Sequence, residues 1–232
     1  MERITITQSG LDRDYISYLY GKVREKFSYL PSKMNLEKYS DRTVFAFETE
    51  KRYCPYVRRF AEESIADVIA VGYKYAYFQN KLTLPLLDEE EKRLLFTALA
   101  AADLKDDCAI VAEKIKGFEE YCIDGVFRFR LKELQKRWDG IAEYIPTEFG
   151  KQSLEGFVGF LVEDGEGKIY LKDGKAYDES YRVLSKSVLT GKRSLIGEVL
   201  LSGAERVYCF GAVDDDTEKF LLKYYKEKAV FC

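Results

Sequence analysis

Four groups of side chains in this sequence have the types and spacing to do chemistry. Thr190-Gly191-Lys192-Arg193-Ser194 precedes an apolar run with helical spacing. Backbone N–H groups at such a helix start, with Lys192 and Arg193 beside them, can hold an anion. A P-loop would need glycine five residues before Gly191 and Ser or Thr directly after Lys192, and Lys186 and Arg193 hold those places. We read the segment as a solvated loop and keep Lys192, Arg193 and Ser194 as an alternative anion-binding set. The second group is basic. Lys51, Arg52, Arg58 and Arg59, joined by Arg128 and Lys132 if they share a face, would suit a phosphate or an acidic protein partner. The third group is Asp67 within SIADVIAVG. If enclosed it needs a cation, with Arg130 or Arg128 the candidates; otherwise it points to water, the reading we prefer. A pocket where Arg58, Arg130 and Asp67 converge would mark a ligand site, and a flat aromatic patch a protein partner. The fourth group is acidic. Asp214-Asp215-Asp216 could ligate Mg²⁺, and Asp88-Glu89-Glu90-Glu91 resembles a metal cluster, but helix capping explains both runs.

Composition removes much other chemistry. The 232 residues contain no histidine, so a Ser-His-Asp or Cys-His nucleophile, a His₂-carboxylate iron site and a His-x-Glu deaminase cannot be assembled. Cys54, Cys108, Cys122, Cys209 and Cys232 form no CxxC pair, which fits reduced thiols and argues against zinc. Cys209 and Cys232 lie in apolar strand contexts and read as inert core residues. With 37 basic and 40 acidic residues, bulk charge recruits neither nucleic acid nor an anionic membrane. The 18 tyrosines cluster at Tyr73-x-Tyr75-x-Tyr77-Phe78 and Tyr224-Tyr225, beside lysines. Such rings can stack single-stranded nucleic acid, but core or interface use is the preferred reading. MERITITQSG lacks an apolar core with a cleavage site, and no segment approaches the roughly 20 apolar residues of a membrane span, so the expectation is a cytoplasmic protein.

The elements that must position these groups follow from periodicity. Arg3 to Thr7 alternates as a half-buried strand, and residues 11–30 carry Ile16, Leu19, Tyr20, Val23 and Phe27 at helical spacing, with Asp12 or Asp14 as cap. A strand follows at 43–49 and a helix at 55–78, with Pro55 in its first turn. Asp88 and Glu91 open another helix as a capping box. Residues 123–138, IDGVFRFRLKELQKRW, read as the central helix, with Phe127, Leu131, Leu134, Trp138, Ile141 and Ile145 in one stripe. Phe129 and Arg130 fall outside both its apolar and its polar face, which predicts enclosure on more than one side. Further helices are expected at 148–162, 181–189 and 194–201, the last stopped by Gly203, and a strand at 168–171. A closing strand-helix-strand, its helix capped by Asp215 with Glu218, should make parallel neighbours. The class is α+β (mixed α/β): a helical middle, a small N-terminal α/β layer and a C-terminal βαβ-like unit. One domain over 1–232 is expected, with a subdivision at 1–50, 51–162 and 163–232.

SIADVIAVGYK, DEEEKRLL, DGVFRFRLKEL, the closing helix-strand-helix-strand order and the end VFC together resemble the YtxC-like family of sporulation proteins of endospore-forming bacteria. The resemblance covers most of the chain, with Asp124-Gly125 to Lys132 its most distinctive part. Gly140, Pro146 and Gly150 depart from the more continuous charged helix expected of the family there. The resemblance implies a cytoplasmic bacterial protein associated with sporulation and carries over no active-site residue.

The reading that results is a non-enzymatic interaction protein with a protein partner that no motif identifies. No catalytic residue, metal or cofactor is assigned. Its binding positions are Arg58, Arg59, Asp67, Arg128, Arg130 and Lys132, with exposed tyrosines. The alternative is a nucleotide- or nucleic-acid-binding protein using basic helix faces and the helix start at Lys192, Arg193 and Ser194.

Overall fold

The computed structural model describes residues 1–9 and 14–232. Its helices and strands form two mixed sheets with their covering helices, so the α+β class holds. They fall into two units, Met1–Tyr73 with Lys105–Gly140, and Lys74–Leu104 with Ile141–Cys232. The helical middle of the sequence is thus shared between both.

In the first unit, β1 (Glu2–Ser9) buries Ile4, Ile6 and Gln8 on one side. It pairs antiparallel with β3 (Arg42–Thr49) and parallel with β4 (Glu120–Cys122). The edge is β2 (Ser32–Lys38), a strand that periodicity does not predict because only Met34 and Leu36 alternate there among polar residues. α1 (Tyr15–Phe27) begins at Asp14, whose Oδ1 accepts the Ser17 N–H at 2.9 Å. The expected helix start at Leu11 and the alternative cap Asp12 lie outside the described residues.

α2 (Cys54–Asp67) runs on through a π-helical segment, Val68–Tyr73, into α3 (Lys74–Lys81). The π segment carries Gly72, where a Cβ would stand 2.6 Å from Cε1 and 2.9 Å from Oη of the buried Tyr15 ring. Alanine gains about 1 kcal/mol over glycine in a helix, but overpacking a filled core costs about 1–3 kcal/mol. Gly72→Ala should therefore lower the midpoint of urea unfolding; a midpoint at or above the parent's would mean that the Tyr15 ring gives way.

Beyond α5 (Leu104–Ile115), the central helix is not continuous. It is built from α6 (Ile123–Gly125), a second π-helical turn (Val126–Arg130) and α7 (Lys132–Glu143), with a non-helical Leu131 at φ −110° and ψ 32° between the last two. Leu131, Leu134 and Trp138 are buried as expected. The expected enclosure around Phe129 and Arg130 is corrected: Phe129 is 78% exposed, and Arg128 and Arg130 are exposed on either side of it. A π turn spends an extra residue per turn, so the stripe that reaches Leu131 does so only after these side chains have rotated outward.

In the second unit, α4 (Glu89–Ala102) starts with the expected capping box: Asp88 Oδ1 accepts the Glu91 N–H at 2.8 Å and Glu91 Oε2 the Asp88 N–H at 3.1 Å. α8 (Lys151–Glu163) buries Leu154, Val158 and Val162. The sheet has the order β6-β5-β7-β8, from β5 (Lys168–Lys172), β6 (Lys175–Tyr177), β7 (Arg206–Phe210) and β8 (Ala229–Phe231). β5 and β6 form a hairpin on Asp173 and Gly174, both at positive φ (51° and 68°), the conformation a two-residue hairpin turn requires. β7, α10 (Asp215–Tyr224) and β8 make the expected parallel strand-helix-strand. Its cap is Asp214, one residue before the expected Asp215; Oδ1 accepts the Thr217 N–H at 2.9 Å and Oδ2 the Thr217 hydroxyl at 2.8 Å. α9 (Leu195–Ser202) is capped by Ser194 and stopped at Gly203, φ 62°.

The helix expected at 181–189 does not form. Asp178 Oδ1 accepts the Ser180 and Arg182 N–H groups at 2.9 Å, and Tyr181 sits at φ 57°, which helical backbone excludes. A 3₁₀ turn, Lys186–Thr190, follows.

Candidate functional site

The pleat of the C-terminal sheet sorts its side chains by face. Ile169, Leu171, Ala176, Val207 and Cys209 are buried, on the face toward α9. Burial there pushes the Cys209 thiol up to about 11. The alternate residues necessarily project to the other face. Strand register places them in rows: Tyr177 opposes Tyr170, Tyr170 pairs with Tyr208, and Tyr208 with Val230. On one side of this aromatic row lie Lys168 and Arg206; on the other, Lys175, Lys172 and Phe210. All four cations are exposed.

The rings form a connected array. Tyr170 lies 5.8 Å from Tyr208 and 6.1 Å from Phe210 between centroids, and Tyr181 stacks on Tyr170 at 4.9 Å with planes 6° apart. Tyr181 is held there by the Asp178 turn, which Arg182 closes through its Nε at 2.8 Å from Oδ2. The Lys168 amine hydrogen-bonds to Tyr170, which raises its pKa. None of the four strands contains Asp or Glu. The nearby Glu179 is engaged at the start of β5, accepting the Lys168 N–H at 3.0 Å.

No family model, curated protein or solved structure matches the chain. What the site can do therefore rests on its own geometry, a basic surface built around a row of aromatic rings.

The residues singled out from the sequence are dispersed more widely. Arg58 and Arg130 do meet, at Phe118: Arg58 donates to its carbonyl, and the Arg130 guanidinium lies 5.9 Å from its ring centroid. Arg58 is also 3.5 Å from the Tyr121 hydroxyl, which donates to Glu62 at 2.8 Å. Arg59 turns away to Glu63 at 3.0 Å. Asp67, read as pointing to water or, if enclosed, as pairing with Arg128 or Arg130, is half-buried and accepts the Cys108 thiol at 3.7 Å. Arg128 and Lys132 are exposed.

Lys192, Arg193 and Ser194 line a cavity of about 390 Å³ together with Glu90, Asp214 and Asp216. These carboxylates offset the two cations, and the Ser194 hydroxyl already accepts the Gly197 N–H at 3.3 Å. The cavity is a weaker anion site than the sequence suggested.

The tyrosine clusters of the sequence serve the interior. Tyr73 donates to Asp124 Oδ1 at 2.7 Å, and burial followed by that carboxylate raises its pKa. Tyr75 and Tyr225 are buried, and the Tyr225 hydroxyl donates to the Ala204 carbonyl at 3.1 Å. Cys232, read as a core residue, is exposed at the strand end. Among the described residues, no group of three His, Cys, Asp or Glu side chains is placed to hold a metal ion, and no helix is long and apolar enough to cross a membrane.

The missed site did leave a signal. Lys168-Ile-Tyr170, Lys175-Ala-Tyr177 and Arg206-Val-Tyr208 repeat one pattern, cation-apolar-tyrosine, in three strands.

Proposed function

We propose that this is a non-enzymatic binding protein that docks a polyanionic partner on the open face of its C-terminal sheet. One observation carries the reading. Lys168, Lys172, Lys175 and Arg206 flank the tyrosine row in register, in strands without a single carboxylate, although the chain as a whole has 40 acidic residues against 37 basic. A local positive field in a net-negative protein attracts polyanions to one face and repels them elsewhere. The resemblance to the YtxC-like family supports a setting in the cytoplasm of an endospore-forming bacterium.

Heparin titrated against the full chain tests this. Four engaged cations predict that log affinity falls with log salt at a slope of about −3, using the coefficient for a flexible polyanion. Lys172→Ser with Arg206→Ser should roughly halve that slope. Binding that ignores salt, or a double variant indistinguishable from the parent, would remove the proposal.

A further inference from the structure

We infer that the polyanion held on this face is a single-stranded nucleic acid, with bases stacked on the tyrosine row and phosphates on the flanking cations. The inference rests on the polyanion reading above and names its ligand.

Charge alone would serve any polyanion, so the rings decide. Tyr177, Tyr170 and Tyr208 occupy one register row across three adjacent strands. Neighbouring strands lie about 4.8 Å apart, so the row spans roughly 10 Å; with Tyr181 stacked on Tyr170, bases are offered Tyr177 and Tyr208 at its two ends and the outer side of Tyr181 between them. The cation rows lie two residues, about 7 Å, along the strands from the rings. That separation lets a chain place bases on the row while its phosphates reach Lys168 and Arg206 on one side or Lys172 and Lys175 on the other. Phe210, 41% exposed, and Tyr181, 68% exposed, enlarge the stacking area. Because Tyr181 already lies flat on Tyr170, its outward side offers the next base a continuation of the same stack.

Two alternatives fit less well. A duplex keeps its base faces stacked internally and would meet only the cations. An acidic protein needs pockets for its side chains, whereas this face presents rings; of the residues that line the two cavities of the second unit, only Lys168 belongs to it. Ring faces without directional readout bind bases of any identity, which makes sequence-tolerant single-strand binding the expected mode.

The test is fluorescence anisotropy on the full chain with four probes: labelled dT15, labelled U15, a 15-base-pair duplex, and heparin as competitor. At low salt at least one single strand should bind about tenfold or more tighter than the duplex, and the comparison of dT15 with U15 assigns DNA or RNA as the source. Tyr208→Leu with Phe210→Leu should weaken single-strand binding by about tenfold per ring while heparin affinity stays at the parent value, which also reports that the variant is folded. Ultraviolet cross-linking of the parent protein to U15 needs no variant and should mark peptides within 168–181 and 206–210. Duplex bound as tightly as single strand, cross-links elsewhere, or leucine variants without effect would overturn the inference while leaving the polyanion reading intact. Failure of both heparin and oligonucleotides to bind would remove both.

Discussion

Trp138→Ala should cost about 3–5 kcal/mol of unfolding free energy, the range for truncating a fully buried large aromatic. Trp138 is the only tryptophan and is 0% exposed. Its ring stacks on Phe127 at 5.8 Å, and Nε1 donates to Asp107 Oδ2 at 3.0 Å. Asp107 is itself buried, with Arg137 Nη1 3.9 Å from its other oxygen. The substitution therefore opens a cavity and takes a donor from a buried carboxylate. Trp138→Phe separates the two effects: it keeps most of the volume and loses the donor, for about 1–3 kcal/mol. Urea unfolding followed by far-ultraviolet circular dichroism measures both. A loss under about 1 kcal/mol in Trp138→Ala would show that α7 is not anchored through this side chain.

In the second unit the largest effect is expected at Glu198, on α9 and only 2% exposed. Its carboxylate accepts the Lys186 N–H at 2.9 Å, the Ser187 N–H at 2.9 Å and the Ser187 hydroxyl at 2.6 Å. The Ser187 hydroxyl in turn accepts the Ser194 N–H at 3.1 Å, joining the 3₁₀ turn to the start of α9. The two pieces approach closely: a Cβ on Gly197 would stand 2.9 Å from Ser187 Cβ. Glu198→Ala leaves those donors without an acceptor in a nearly dry site, at about 1–3 kcal/mol each when uncompensated. We expect a loss of about 3 kcal/mol, with faster proteolysis within 184–194 than in the parent. Glu198→Gln retains an acceptor oxygen and should lose roughly half as much. Equal stability of parent and Glu198→Ala would mean that water replaces the carboxylate.

The two predictions mark where local pattern carries structural information. Leu131, Leu134 and Trp138 were legible because their spacing predicts one buried side, and Asp88 with Glu91 because a capping box involves only four residues. Phe129 was not legible, since a π turn shifts the register without any change in composition. The aromatic face was hidden for a different reason. Tyr170 and Tyr208 become neighbours only through the parallel β5–β7 register, which joins residues far apart in the chain. The adjacent Tyr73, Tyr75 and Tyr77 attract more notice, yet on a helix alternate residues point about 200° apart and cannot form one platform. Residues 181–189 read as a helix because nothing in their spacing marks Asp178 as the organiser of a turn. The basic positions were legible as residues but not as a set. Arg59 has Glu63 one helical turn away, and Asp67 finds Cys108, a partner that no spacing rule supplies.

The central claim is that the open sheet face, rather than the basic turn at Arg128 or the helix start at Lys192, is the binding surface. Lysine acetylation footprinting of the full chain, with and without heparin, tests it most directly by mass spectrometry. Bound heparin should slow acetylation of Lys168, Lys172 and Lys175 and leave Lys132 and Lys192 as reactive as in the free protein. Protection of Lys132 or Lys192 with the three sheet lysines unchanged would contradict the account.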